Sequence, residues 1–367
     1  MNRIDKNTAF NLLKNSDLLD LGEMADSIRR SFHPDGIVTF IIDRNINYTN
    51  VCINKCRFCA FYRDAESPDA YLLSKDEIFK KIDETIALGG TQILLQGGLN
   101  PVLDLDYYTD LLGSIKRRYD INIHGFSPPE ICYMADSNDL TVKETLMILK
   151  HSGLDSIPGG GAEILSDRVR RTISPRKITS DRWLDVMEKA HGLFMRTTAT
   201  MMFGSVEGPE DIVEHLDRIR TLQDKTGGFT AFIPWSFQPG NTELEQKSEY
   251  NPPTHPSPSR GEGKGGGGSN IHPATAVDYL KVLALSRIYL DNIKNIQASW
   301  VTQGLKLAQV ALRFGANDMG STMIEENVVA STWVSHMITK DELIEAVRAA
   351  GFKPAQRDTC YNLIRIF

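Results

Sequence analysis

The chain is expected to fold as an α/β protein, a single (β/α) barrel of the TIM type with an N-terminal helical extension. Three observations lead there. From residue 37 onward, short apolar or β-branched runs alternate with helix-period segments about eight times along the 367 residues. Chemically reactive residue types recur just after the strand runs, where barrel enzymes carry their functional groups. The turn after the first strand holds cysteines, whereas an open doubly wound sheet, the runner-up, would want G-x-G-x-x-G there.

Bulk composition narrows the function. Apolar residues make up 41% and charged residues 24%, ordinary globular values that permit a sizeable core. The net charge of −6 leaves no basic surplus for phosphates, which argues against nucleic acid as a partner. No run approaches roughly 18 uninterrupted apolar residues, so no membrane span is expected. The first six residues show no apolar signal core. Clustered cysteines without evident pairing partners suit a reducing compartment, so the cytoplasm is the expected location.

In chain order, residues 9–31 read as helical, with Leu12, Leu13, Leu18, Leu21, Met24, Ala25 and Ile28 recurring mostly at three- and four-residue steps. His33-Pro34-Asp35-Gly36 ends it. Residues 1–34 thus form a helical lead-in, 35–330 the barrel and 331–367 a C-terminal helical segment. Residues 37–42 form the first strand, and Asn45 to Asn50 lead as a loop into the cysteines. Ser74 and Glu77 make a capping box for a helix whose face carries Ile78, Ile82 and Ile86, and Gly89-Gly90 stop it. The strand 91–95 follows and ends at Gln96-Gly97-Gly98. Further strands are expected at 121–126, 154–157, 197–203, 229–235, 296–301 and 318–323. Helices are expected at 142–151, 180–192, 209–223 and 274–292. Residues 251–273, eleven of 23 being Gly or Pro, cannot bury enough apolar surface to offset their ordering entropy and read as a disordered insertion.

Three of the five cysteines, Cys52, Cys56 and Cys59, are spaced C-x3-C-x2-C, while Cys132 and Cys360 stand alone. Three neighbouring thiols cannot all pair as disulfides. Tetrahedral zinc wants a fourth ligand, and no histidine lies within twenty residues after Cys59. An iron–sulfur cube normally takes four cysteines, so three would leave one iron open, much as catalytic zinc keeps an open position. Phe58, Phe61 and Tyr62 can shield such a cluster, or simply pack. The glycines Gly97 and Gly98 after Gln96 let backbone approach a ligand closely. His124 is a candidate proton carrier, as is Glu130. Glu163, beside the turn Pro158–Ala162, suits acceptance from sugar hydroxyls, with a surface ion pair as the plain alternative. Thr200, Trp235, Gln238 and Trp300 supply neutral donors and flat rings for a sugar and an aromatic ring.

The cysteine spacing, with Phe58 before the third cysteine, resembles the signature of the radical S-adenosylmethionine (SAM) enzymes. That resemblance implies a [4Fe-4S] cluster on Cys52, Cys56 and Cys59 whose open iron chelates SAM. It implies cofactor contacts at Phe58, Gln96, Gly97, Gly98, Glu163 and Arg168. Many members carry an acidic residue after the glycine pair; here it is Leu99, which leaves that contact to the backbone. Segments 47–52, 59–63, 124–131, 153–163 and 226–235 closely resemble the dehypoxanthine futalosine cyclase family of menaquinone biosynthesis. The likeness runs from about residue 9 to the C-terminus, broken by the Gly/Pro stretch. Aminofutalosine synthase and the FO synthase subunits share the cysteine loop and are the alternatives. The resemblance implies cleavage of SAM to a 5′-deoxyadenosyl radical, hydrogen abstraction at the ribose C4′ of dehypoxanthine futalosine, and ring closure onto the benzoate. Arg63 or Arg168 would meet that carboxylate, and a low-potential flavodoxin or ferredoxin would supply the electron. An iron–sulfur electron carrier or sensor is the non-enzymatic alternative, although a carrier normally ligates all four irons.

Overall fold

The computed structural model describes residues 3–247 and 271–367, so most of the Gly/Pro-rich stretch 251–273 lies outside the described residues. The lead-in is helical but divided into α1 (Lys6–Asn15) and α2 (Leu18–Phe32). Asp17 divides the helical stretch because its carboxylate accepts from the Leu19 N–H at 2.8 Å and starts a second helix.

The chain then runs through β1 (Ile37–Ile41) and β2 (Asp43–Asn47), with only Ile42 between them. The start of the expected loop is therefore strand. Its periodicity was hidden because the inward face is polar: Asp43, Asn45 and Asn47 line the barrel lumen, while Ile46 packs in the hydrophobic core. Next come α3 (Lys75–Ala87), opened by the expected Ser74–Glu77 box, and β3 (Gln92–Gln96). They are followed by α4 (Leu105–Arg118), β4 (Asn122–Gly125), α5 (Pro128–Ser137), α6 (Val142–Ser152) and β5 (Ser156–Ile157). The second half continues with α7 (Asp167–Ile173), α8 (Ser180–Gly192), β6 (Arg196–Phe203), α9 (Pro209–Thr226) and β7 (Phe229–Ser236). Then come α10 (Glu243–Lys247), α11 (Ala276–Tyr289), β8 (Asn295–Ile296), α12 (Trp300–Gln303), α13 (Leu305–Ala311) and β9 (Asp318–Ser321). The strand expected over 296–301 stops early and turns into α12, where the Trp300 indole N–H donates to the Ser321 carbonyl at 3.0 Å. No helix among the described residues is long and apolar enough to cross a membrane.

Strands β2 to β8 form a seven-stranded parallel sheet in sequence order, and β9 lies beside β1 in a second, four-stranded sheet. The two sheets join: Asn317 N–H donates to Ile296 O at 3.0 Å, Ala298 N–H to Asp318 O at 2.8 Å, and Ile324 N–H to Asp43 O at 3.3 Å. With β1 and β2 continuous in the chain, the parallel strands close into a ring of the TIM type, flanked by helices.

The C-terminal segment, expected to be helical, holds α14 (Lys340–Ala349) and then two strands, β10 (Lys353–Arg357) and β11 (Leu363–Ile366). β10 pairs in parallel with β1, from Ile37 opposite Lys353 to Phe40 opposite Gln356. The short run Lys353-Pro-Ala-Gln-Arg357 carries no apolar alternation, so its strand character comes from tertiary pairing. Arg357 donates to both carboxylate oxygens of Asp318 on β9, at 2.6 and 3.0 Å, and Thr39 on β1 donates to the same group at 2.5 Å. Asp318 is fully buried. Removing one partner strands a buried charge, so Arg357→Ala should lower stability by about 3–5 kcal/mol, read from the urea midpoint. The Arg357→Ala/Asp318→Ala double variant should lose less than the sum of the two single losses.

Candidate active site

The cysteine loop springs from the upper end of β2. Cys52 N–H donates to Arg63 O and Arg63 N–H to Asn50 O, at 3.1 and 2.8 Å, which folds the loop back on its own stem. The Arg63 guanidinium pairs with Asp69 at 2.5 Å and donates to the carbonyls of Ala60, Phe61 and Tyr62. Arg63 therefore braces this loop and does not line the central cavity. Cys56 is buried, Cys52 and Cys59 are partly so, and all are free thiols lining a lumen of about 430 Å³.

The glycine loop after β3 presses against them. A Cβ on Gly98 would lie 2.2 Å from the Val51 carbonyl oxygen and 2.8 Å from Cys52 Cβ. One on Gly97 would lie 2.5 Å from the Tyr48 ring. Only hydrogen fits at either place. Gln96 lines the same lumen, as do Phe58, Thr200, Trp235 and Trp300. The Thr200 hydroxyl is also committed to the Gly159 carbonyl at 2.6 Å, while Gly159 N–H donates to Thr198 Oγ1 at 2.9 Å, so the turn after β5 is strapped to β6.

Glu163 sits at the end of that turn with a positive φ of 39°. One of its oxygens accepts from Lys177 Nζ at 2.8 Å. The other lies 3.6 Å from Arg170 Nη1 and is buried without a hydrogen-bond partner. Lys177 also stands 5.1 Å over the Phe58 ring. Neither Lys177 nor Arg170 was anticipated, since no spacing ties the loop around α7 to the cysteines. Burial works against the Lys177 charge, but Cys56 and Glu163 outweigh it and hold the ammonium above its usual range. Burial pushes the Cys56 thiol up to about 12, with Lys177 pulling the other way, and raises Cys59 too. The loop by itself thus holds thiols; a cationic iron cluster would draw off their protons. Among the described residues no three His, Cys, Asp or Glu side chains gather tightly enough to hold a single ion. Three thiols around the mouth of one lumen suit a multi-iron cube better than a mononuclear site.

The two candidate proton carriers are placed differently from expectation. His124 lines the lumen with Nδ1 at 2.7 Å from Ser156 Oγ. Burial, helped by the charge of Arg357, pushes it down to about 3, so the ring stays neutral. Glu130 accepts from Tyr48 Oη, Gly97 N–H, and both Ser127 N–H and Oγ, at 2.6–3.0 Å. It has no oxygen free for a substrate proton. Arg168 is exposed on α7 and paired with Asp211, away from the lumen. Gln238 is turned back onto Ser236.

Two outcomes are expected from this geometry. Gly98→Ala should disrupt the cysteine loop, read as lost iron uptake during anaerobic reconstitution. Three rings refuse protons in the fold: His124 and His215 at about 3, and His191 at about 4, each chiefly through burial. The unfolded chain protonates them near pH 6.5, so it binds more protons below that pH and stability falls as the pH drops from 7 to 5. Each ring replaced, as in His215→Gln, should flatten that slope by up to about 1.4 kcal/mol per pH unit in urea titrations.

Comparison with known proteins agrees with this architecture. The radical SAM superfamily profile matches residues 46–219, and the CofH/MqnC C-terminal region matches residues 269–366. Cyclic dehypoxanthine futalosine synthase of Halalkalibacterium halodurans is 43% identical over 366 residues, covering 100% of this chain and 92% of the relative. The protein of the same name from Streptomyces coelicolor is 39% identical, covering 98% and 85%. A 5-amino-6-(D-ribitylamino)uracil–L-tyrosine 4-hydroxyphenyl transferase from Methanothermobacter thermautotrophicus is 44% identical, covering 95% and 90%. Among solved structures, methylornithine synthase superposes with a TM-score of 0.69 at 17% identity, covering 96% of this chain and 95% of the other. The hydrogenase maturase HydG of Carboxydothermus hydrogenoformans gives 0.74 at 19%, covering 98% and 77%. Both share the fold. With three cysteines at the mouth of a closed parallel barrel, and whole-chain identity to synthases of this type, the chain belongs to the radical SAM enzymes, in the family that includes the cyclic dehypoxanthine futalosine synthases.

Proposed function

We propose that this enzyme converts dehypoxanthine futalosine to cyclic dehypoxanthinyl futalosine in menaquinone biosynthesis. The observation that carries the reading is the chemistry of the lumen. Its mouth holds three thiols, and its walls offer amides, hydroxyls and indoles, while His124 is neutral, Glu130 is fully bonded, and the charged Asp43, Glu326 and Arg357 are engaged by protein partners. Such a site suits hydrogen-atom abstraction from a neutral sugar better than ionic acid–base work. When bound, a [4Fe-4S] cluster and SAM together supply a carbon radical strong enough for that abstraction.

In this reading Cys52, Cys56 and Cys59 hold the cluster, with Phe58 screening it from water. The tight backbone at Gly97 and Gly98 and the unpartnered oxygen of Glu163 receive SAM, the carboxylate taking ribose hydroxyls. Trp235 and Trp300 flank the benzoate ring, and the luminal amides Asn45 and Asn47 offer hydrogen bonds to the sugar. The closed ring of strands keeps water and stray hydrogen donors from the reacting atoms. A low-potential flavodoxin or ferredoxin is the proposed electron source and the cytoplasm the proposed location, where the thiols would stay reduced. Neither Arg63 nor Arg168 is retained as the partner of the benzoate.

A second reading has its own support, because an archaeal transferase is 44% identical over 95% of the chain, against 43% over 100% for a synthase. Anaerobic incubation with dithionite, SAM and dehypoxanthine futalosine should give 5′-deoxyadenosine and a product two hydrogens lighter than the substrate. Turnover only with L-tyrosine and 5-amino-6-(D-ribitylamino)uracil would replace the first reading with the second. Cys52→Ala, Cys56→Ala and Cys59→Ala should each lose the cluster, whereas Cys132→Ala and Cys360→Ala should keep it, by iron analysis.

A further inference from the structure

We infer that Tyr48 and Glu130 form a brace that fixes the glycine loop against the cysteine loop, and that Glu130 is a positioning residue for the bound sulfonium cofactor. This rests on the reading that Gly97 and Gly98 receive SAM. Tyr48 follows β2 directly and stands four residues before Cys52. Its Oη donates to Glu130 Oε1 at 2.7 Å, and Gly97 N–H donates to the same oxygen at 3.0 Å. The other oxygen accepts Ser127 N–H and Oγ, both at 2.6 Å, at the start of α5. One carboxylate thus joins the stem of the cysteine loop, the glycine loop and a helix N-terminus.

The arrangement is rigid. Tyr48 is fully buried and Glu130 is 2% exposed. The Tyr48 ring is held edge-on by Tyr108 and Phe126, with centroids 6.0 and 6.1 Å away. The same ring fills the space where a side chain at residue 97 would go. Burial raises the Glu130 carboxyl above its usual range, and the four donors that fill its lone-pair sites pull the other way. With the 97 N–H aimed at Glu130, planarity turns the Gln96 carbonyl the opposite way, towards Asn47 on the lumen wall. The orientation of the peptide that begins the glycine loop is therefore set by Glu130. A plain helix cap would need only the two Ser127 bonds; the Tyr48 and Gly97 bonds are additional.

The test uses anaerobically reconstituted full-length protein, with iron content, melting temperature, and SAM affinity by calorimetry and by the change in the reduced cluster's electron paramagnetic resonance spectrum. Tyr48→Phe and Glu130→Gln should keep wild-type iron and weaken SAM about tenfold or more, the loss expected for one charged hydrogen bond. The double variant should be no weaker than Glu130→Gln alone within about twofold, because both remove one linkage. Ser127→Ala, which removes one bond to the Glu130 oxygen that does not face Tyr48 and Gly97, should lower the melting temperature yet leave SAM affinity within about twofold. Unchanged SAM affinity in Tyr48→Phe and Glu130→Gln would overturn the brace. So would Ser127→Ala weakening SAM as much as they do, since the effect would then be general destabilisation. A wild-type protein that takes up iron but shows no spectral response to SAM would instead overturn the functional reading and the brace with it.

Discussion

The contact between Gly98 and the stem of the cysteine loop is the constraint on which the site depends. Two loops from neighbouring strands must approach until a hydrogen atom, and nothing larger, fits between residue 98 and the Val51 carbonyl and Cys52 Cβ. The parallel pairing of β2 with β3 in register, Asn47 opposite Gln96, delivers both loops to the same height. Everything above that pair inherits its spacing. The two strands carry their polar side chains inward, so the contact sits at the lip of the lumen and not over a packed core.

The polar residues that β2 to β4 turn inward, set among apolar ones such as Leu94, Ile233 and Trp300, separate this barrel from the common case, in which layers of branched apolar side chains fill the interior. Here apolar residues work on the other side of the sheet, where Ile46, Ile93, Leu95 and Ile123 pack in the core with the surrounding helices. The lumen keeps Asp43, Gln92, His124 and Ser321 around a space of about 430 Å³. Stability and reactivity are thereby divided between the two faces of one sheet. Asp43 shows the cost: burial raises its carboxyl above the usual range even though Ser321 and Gln92 both donate to it.

The same division explains what the sequence disclosed. Helices with a capping residue and an apolar stripe, such as α3 with Ser74, Glu77, Ile78 and Ile82, were legible because each signal is local. The cysteine loop was legible because its spacing is itself the chemistry. β2 was half missed, since its informative face points into a polar lumen. β10 was missed altogether, because Lys353, Pro354, Gln356 and Arg357 become a strand only through β1 and Asp318. Gly97, Gly98, Glu163, Trp235 and Trp300, expected at strand ends, do line the lumen. Arg168 and Gln238 lie in equally suitable stretches yet turn away, a matter of side-chain direction that spacing does not encode. Lys177 could not be found at all, since it reaches Glu163 from the loop after α7.

The pairing of β1 with β9 and β10 carries a consequence for how the molecule is made. Residues 37–41 need partners at 318–321 and 353–357, nearly the full length of the chain away. Contacts of such long range close late, because the loop entropy must be overcome before they are rewarded. During synthesis the first strand and the cysteine loop just beyond it leave the ribosome well before residues 318–321 and 353–357, and both edges of the strand stay unpaired until those residues follow. The cysteine loop is thus translated long before it acquires its final walls. Under the proposed function, loading of a cluster is consequently an event of the completed barrel, because the thiols stand beside their final walls only then.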